Sequence, residues 1–213
     1  MEIQMDSNHK KRQLLKDRLL VAALPHVIFD GWGPKSLKAG AKDLKLKEGT
    51  IHAVFIDPKN DLVIHFSNWA DRRMLERLSK LNLETMKVRE RITTAVRIRL
   101  EELSGYEEAL RRSIFHSSAK NIYQTVDLIW RTAGDKSVDF NFYTKRALLV
   151  AVLSSTTLFW LDDKSENHTK TWDFLDRRIS DVMKIPKIQS RVQTLIKESF
   201  SPITRKWDAR KTP

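Results

Sequence analysis

Apolar residues recur at three- and four-residue spacing along nearly the whole chain, and only six glycines and six prolines interrupt its 213 residues. Turn dipeptides are too sparse for a many-stranded sandwich or barrel, whose strands need a reversal every few residues. The expectation is an all-α protein. With 41% hydrophobic residues the chain can bury a real core, as one compact domain or two small ones.

Leu15, Leu19, Ala22 and Ala23 predict a first helix over Lys10 to Ile28, stopped by Gly31 and Gly33. Pro34 suits the first turn of a short second helix that turns Leu37, Ala41 and Leu44 inward and ends near Leu46. After Lys47-Glu48-Gly49, Thr50 can cap a third helix over Ile51 to Phe55. Asp57-Pro58-Lys59-Asn60 breaks that helix before a fourth carries Leu62, Phe66, Trp69 and Met74. Short helices joined by a tight glycine turn make a helix-turn-helix. Met86, Val88, Ile92, Val96, Ile98, Leu100 and Leu103 then predict a long helix over Thr85 to Leu103 with one buried face. Further helices are expected over Tyr106 to Phe115, Ala119 to Ala133, Asn141 to Asp162, Thr169 to Met183 and Pro186 to Phe200. The chain thus divides into a helix-turn-helix region (10–80), a second helical bundle (81–184) and a basic tail (185–213).

The formal charge is +12, and the excess sits at the two ends. Ten Lys or Arg face four Asp or Glu between His9 and Gly49, and eight face two between Lys184 and Pro213, while the middle is nearly compensated. Most of the middle's charges read as solvated helix faces. Basic ends permit either a phosphate backbone or an anionic membrane surface as partner. The absence of cysteine removes disulfides, thiolate metal sites and a cysteine nucleophile, and fits a reducing compartment. Met1 to Asn8 is polar, without the apolar run of a signal peptide or the composition of a transit peptide, so secretion is not expected. The longest apolar stretch, Ala147 to Leu161, falls short of the ~20 residues of a membrane span and contains Ser154, Ser155, Thr156 and Thr157.

The second helix of a helix-turn-helix enters the major groove of DNA. Here it offers Thr50, Ile51, His52, Ala53 and Val54, of which only Thr50 and His52 can hydrogen-bond a base edge. Val54 occupies a place where a phosphate donor would be useful. Lys35, Lys38, Lys42, Lys45 and Lys47 still supply charge suited to phosphates. Elsewhere, Phe140, Phe142 and Tyr143 crowd one helix start, where a first turn cannot bury all three in one core. At least one should be exposed, and an exposed aromatic cluster suggests a partner.

The string Asp127 to Arg146 contains Ala-Gly-Asp-x-Ser-x-Asp-Phe-Asn-x-Tyr-Thr-Lys-Arg over 133–146. Together with Lys164-Ser165, the run Thr171-Trp172-Asp173-Phe174-Leu175-Asp176-Arg177-Arg178-Ile179 and the helix-turn-helix, it resembles the ubiquinone-biosynthesis accessory family known as coenzyme Q protein nine. The likeness runs from about Leu15 to Met183. It implies a TetR-like all-helical fold, usually dimeric, that has given up reading DNA and binds lipid, including isoprenoid quinone intermediates, for presentation to a di-iron hydroxylase of the pathway. By position, the family's partner-facing patch falls on Asp139, Phe142 and Tyr143, with Phe142 where the family more often has Trp. The family's His-Trp-Pro motif is missing from Leu110 to His116.

Two readings remain open for the apolar helix Ala147 to Leu161. Its apolar residues wrap most of the circumference, which suits full burial. Alternatively, Ala151, Ser154, Ser155 and Leu158 leave space against Trp130, Phe159 and Leu175 for an acyl or isoprenoid chain. In the tail, Ile188, Val192, Leu195, Ile196 and Phe200 share one side of a basic amphipathic helix, packed on the domain or a second subunit, or laid on an anionic membrane surface. Enzyme chemistry finds little support: six scattered histidines show no metal spacing, and no phosphate loop or nucleophile elbow occurs. No cofactor or metal is expected, and Asp162-Asp163 reads as helix capping. The reading that results is a non-catalytic lipid-binding accessory, peripheral on the cytoplasmic or matrix side of an inner membrane, with a TetR-type regulator carrying a lipid effector as the alternative.

Overall fold

The computed structural model describes residues 2–47, 49–116, 118–135 and 140–184, and all regular structure among them is helical. In chain order the helices are α1 (Glu2–Asp30), α2 (Pro34–Asp43), α3 (Gly49–Val54), α4 (Pro58–Leu78), α5 (Val88–Glu101), α6 (Glu107–Ser113), α7 (Ala119–Thr132) and α8 (Phe140–Asp162). Residues 169–184 form a further helix, α9. The expected all-α class holds. The helix expected over Pro186 to Phe200, with its membrane-facing residues Ile188, Val192, Leu195, Ile196 and Phe200, lies outside the described residues.

The breaks fall where glycine and proline put them, and the departures have local causes. α1 begins at Glu2, well ahead of Lys10, because the polar start carries no apolar stripe by which to see it. Pro25 removes one amide donor without ending this helix; buried Leu24 and Val27 hold both halves to the core. The helix predicted from Thr85 starts instead at Val88, after a 3-10 turn over Leu83–Thr85, where Glu90 accepts from the Lys87 amide at 2.9 Å. α2 crosses α1 at Gly40, where a Cβ would sit 2.7 Å from the Ala23 nitrogen, so only glycine permits this approach. Gly134 takes φ +91° just past α7, as expected of a residue that turns the chain out of a helix.

Buried side chains from Leu19 to Ile179 join one continuous apolar cluster. α4 stands at its centre and packs against α1, α2, α5 and α7. Full burial of the Ala147 to Leu161 stretch does not hold. Leu149, Val152, Leu153, Thr156 and Trp160 face the core, but Ala147, Ala151, Leu158 and Phe159 face outward. α8 packs mainly on α7 and α5, so the face turned away from them stays open to solvent, and small or apolar residues stand on it here. Among the described residues no helix is long and apolar enough to cross a membrane.

Candidate functional site

Between α4, α6, α7, α8 and the end of α5 lies a cavity of about 140 Å³. Val63, Phe66 and Ala70 of α4, Leu103, Leu110, Ile122 and Leu153 give it a largely apolar wall, with Ile114 and Leu158 at the exposed rim. Its space exists because small residues sit at inward positions, Ser67 and Ala70 on α4 and Ser154 on α8. Hydroxyls along the wall are partly spent on their own helices: Thr157 Oγ1 donates to the Leu153 carbonyl and Ser113 Oγ to that of Leu110, each at 2.8 Å.

One side of the wall is charged. Arg99, only 7% exposed, donates from Nε to Asp71 Oδ1 at 2.6 Å and from Nη2 to Ser67 Oγ at 3.1 Å. Asp71 Oδ2 accepts from Thr125 Oγ1 at 2.8 Å. Asn121 lines the cavity beside them. A buried carboxylate and guanidinium so close balance one another, and the Ser67 and Thr125 hydroxyls add one hydrogen bond to each. An apolar cavity with a few convergent polar groups is the usual form of a small-molecule site.

Of the residues predicted to hold lipid, Ser154 and Leu158 line this cavity. Trp130 is buried elsewhere, donating from Nε1 to the Lys145 carbonyl at 3.2 Å, and Leu175 is in the closed core. Phe159 stacks on Phe174 with ring centres 4.8 Å apart, and with Ser155 it borders a shallow groove at the C-terminal end of α8. Ala151 is exposed. Sequence reasoning missed Ser67, Asp71, Arg99, Asn121 and Thr125. The signal for Arg99 was present: it follows Ile92 by seven positions and Val96 by three, squarely on the inner face of its helix.

Of the aromatic cluster, the Phe140 side chain lies outside the described residues, and Tyr143 is exposed, as expected of at least one member. Tyr143 is 66% exposed, and its ring meets that of the partly buried Phe142 edge-on at 5.1 Å. Beneath them the Arg146 guanidinium, 1% exposed, lies 3.4 Å from the Phe142 ring centre. Arg146 also reaches Asp127 at 2.6 Å, and Asp135 and the Phe142 carbonyl at 3.2 Å each. Lys145 adds a contact to Asp135 at 2.9 Å. This charged cluster fixes the start of α8 on the end of α7. Asp139, the third residue of the expected patch, lies outside the described residues.

The helix-turn-helix keeps its frame and little to read with. Val54 is not at the surface: it is buried with Ile51 and Phe55 to hold α3 on the core, so it occupies no phosphate-facing place. His52 and Ala53 are exposed and Thr50 half-buried, while Lys35, Lys38, Lys42, Lys45 and Lys47 are all exposed. Among the described residues no group of three His, Asp or Glu could hold a metal ion. Asp163 caps α9 as expected of it. Burial favours its neutral form, but hydrogen bonds from Ser165 and from the Thr171 amide and hydroxyl outweigh that and hold the carboxyl well below the usual range.

Comparison with known proteins bears on the fold and on the family. The chain is 21% identical to a TetR transcriptional regulator from Nitrosomonas europaea, with a TM-score of 0.62 over 79% of this chain and 97% of that one, so the fold is TetR-like. Residues 115–186 match the sequence model of the COQ9 family. The human mitochondrial ubiquinone biosynthesis protein COQ9 is 30% identical over 89% of this chain and 64% of its own length. The Drosophila melanogaster protein is 28% identical over 88% and 61%. The chain therefore spans less than two thirds of these relatives. COQ9-B of Xenopus laevis is 30% identical over 87% of this chain and 68% of its own. A TetR-like frame with a bare reading helix, a walled apolar cavity and these sequence relationships lead to one assignment: the chain belongs to the COQ9 family.

Proposed function

We propose that this protein is a non-catalytic accessory of ubiquinone biosynthesis that binds isoprenoid quinone intermediates and presents them to a di-iron hydroxylase of the pathway. The names of its relatives support the pathway, and the cavity behind α4 and α8 carries the lipid-binding reading. A dry apolar cavity of roughly 150 Å³ accommodates one benzene-sized group. The cavity here is of that order, room for a single ring or isoprene unit. The rest of a polyprenyl tail then runs out across Leu158, 54% exposed, and Ile114 at the rim. Each Å² of such a tail removed from water contributes about 25 cal/mol, so few polar contacts are needed.

Three further parts belong to the same reading. Tyr143 and Phe142, with Asp139, form the surface for the hydroxylase. Residues 185–213 meet an anionic membrane surface through Ile188, Val192, Leu195, Ile196 and Phe200, which places the protein peripherally on an inner membrane. The outward residues of α8 away from that rim, Ala147, Ala151 and Phe159, suit a second copy in a homodimer. In this division, residues 10–80 are frame and lend α4 to the cavity wall, 81–184 supply the rest of the lipid-binding bundle and 185–213 the membrane contact.

The test is native mass spectrometry of the purified full chain, with extraction and identification of any lipid that accompanies it. A co-purified isoprenoid quinone or precursor is the expected result. A lipid-free protein that instead shifts DNA, with affinity falling steeply as salt rises and differing between sequences, would establish the alternative, a TetR-type regulator that uses the five exposed lysines.

A further inference from the structure

The charged side of the cavity narrows what can enter it. Arg99 spends Nε on Asp71 and Nη2 on Ser67, and among the described residues no protein acceptor faces Nη1. Arg99 lines the cavity, and two of its five N–H donors are spent on Asp71 and Ser67, so the others are available to an acceptor in that space. Its charge is already balanced by Asp71 at 2.6 Å. A carboxylate or phosphate arriving there would leave the site with an uncompensated negative charge among largely apolar walls, which is unfavourable. A neutral oxygen brings no such charge and accepts a charge-assisted hydrogen bond. A purely apolar group leaves Nη1 without a partner and forgoes that bond. The cavity's volume admits a single ring.

We infer that the cavity takes the oxygenated ring of its lipid head-first, with a neutral carbonyl, hydroxyl or ether oxygen accepting from Arg99 and the apolar tail directed outward past Leu158. This rests on the lipid-binding reading above and adds an orientation and a selectivity: neutral oxygenated rings over fatty acids and over plain hydrocarbon. Arg99 is the specificity residue, and Asp71, with Ser67 and Thr125, positions it.

Three probes of equal heavy-atom count separate the possibilities: acetophenone, with a neutral carbonyl; cumene, its apolar counterpart; and benzoate, its anionic one. Binding to the full chain is followed by ligand-observed NMR. Acetophenone should bind roughly ten- to a hundredfold more tightly than either, the range for one hydrogen bond to a charged group. In the double variant Arg99→Met/Asp71→Leu, which removes the pair without leaving a lone buried charge, that preference should vanish while cumene binds at least as well. Should the double variant fail to fold, Arg99→Lys keeps a cation opposite Asp71, loses the fork and should lose the preference too. Equal binding of acetophenone and cumene, tightest binding of benzoate, or a preference that survives in a folded variant would overturn the inference and leave the cavity itself standing. Failure of all three probes to bind would overturn the lipid-binding reading along with it.

Discussion

The reading helix α3 and the cavity behind α4 show two different fates of polar chemistry within one fold. In α3 the inward positions Ile51 and Val54 are packed as a helix-turn-helix requires, yet the outward ones amount to His52, Ala53 and a half-buried Thr50. Around the cavity the reverse holds: an apolar interior retains a charged pair, Asp71 and Arg99, with three hydroxyl or amide neighbours. Polar groups at a solvent face can be lost at little energetic cost, whereas buried ones persist only where each is satisfied or has a ligand to meet. The difference is what favours the cavity over the helix-turn-helix in the function proposed above.

The sharpest way to break that contrast is to cut the buried pair. Arg99→Ala should destabilise the fold by about 3–5 kcal/mol, because Asp71 is left charged and without its cation, and urea unfolding measures it. His52→Ala on the same assay should stay within about 0.5 kcal/mol. Tyr143→Ala, at the exposed patch, should weaken capture of the hydroxylase by roughly tenfold with the melting temperature unchanged. An unaltered affinity would remove the patch from the account.

The frame has a pH dependence of its own. His65 of α4 lies 2.8 Å from Asp17 of α1, with Arg72 of α4 on the same carboxylate. Burial pushes the His65 imidazole below its ordinary 6.5, opposed by Asp17 and reinforced by Lys16 and Arg72, so the native state holds it neutral. Acidification below 6.5 protonates the unfolded chain first and erodes stability. Burial raises Asp17, but His65 and Arg72 together hold it below its ordinary 3.8, so its own contribution is lost at still lower pH, in the same direction. Urea unfolding on either side of pH 6.5 checks this, and His65→Phe should remove the upper part of the loss. The smallest expected effect is on lipid content after reversal of Lys35, Lys38 and Lys42 to Glu. Less than about twofold change is the outcome for a frame, and abolished function the outcome for a DNA reader.

Much of the fold was legible because its punctuation is chemical. Pro34, Pro58, Gly105 and Gly134 fall at or beside helix boundaries for reasons intrinsic to those residues. The start of α1 was not, since a helix without an apolar stripe looks like any polar segment. The cavity was half legible: Ser154 and Leu158 announce small and apolar residues on one helix, but their partners come from α4, α5 and α7. Thr125 stands 54 positions and Arg99 28 positions from Asp71. A charged residue at a core position is easily passed over among the solvated ones, as Arg99 and Asp71 were. Ala151 and Phe159 show the converse, since apolar character alone does not say which side of a helix meets a neighbour.

Arg146 has one more consequence. A guanidinium with 1% exposure, shared between Asp127, Asp135 and the Phe142 ring, has no comfortable half-assembled form, because any partial arrangement strands a charge away from water. The junction of α7 and α8 therefore closes as a unit or stays open, and Tyr143 is displayed in place only once it has closed. A surface of that kind would vouch for the molecule that bears it: a partner that gripped Tyr143 would engage finished copies and pass over misassembled ones.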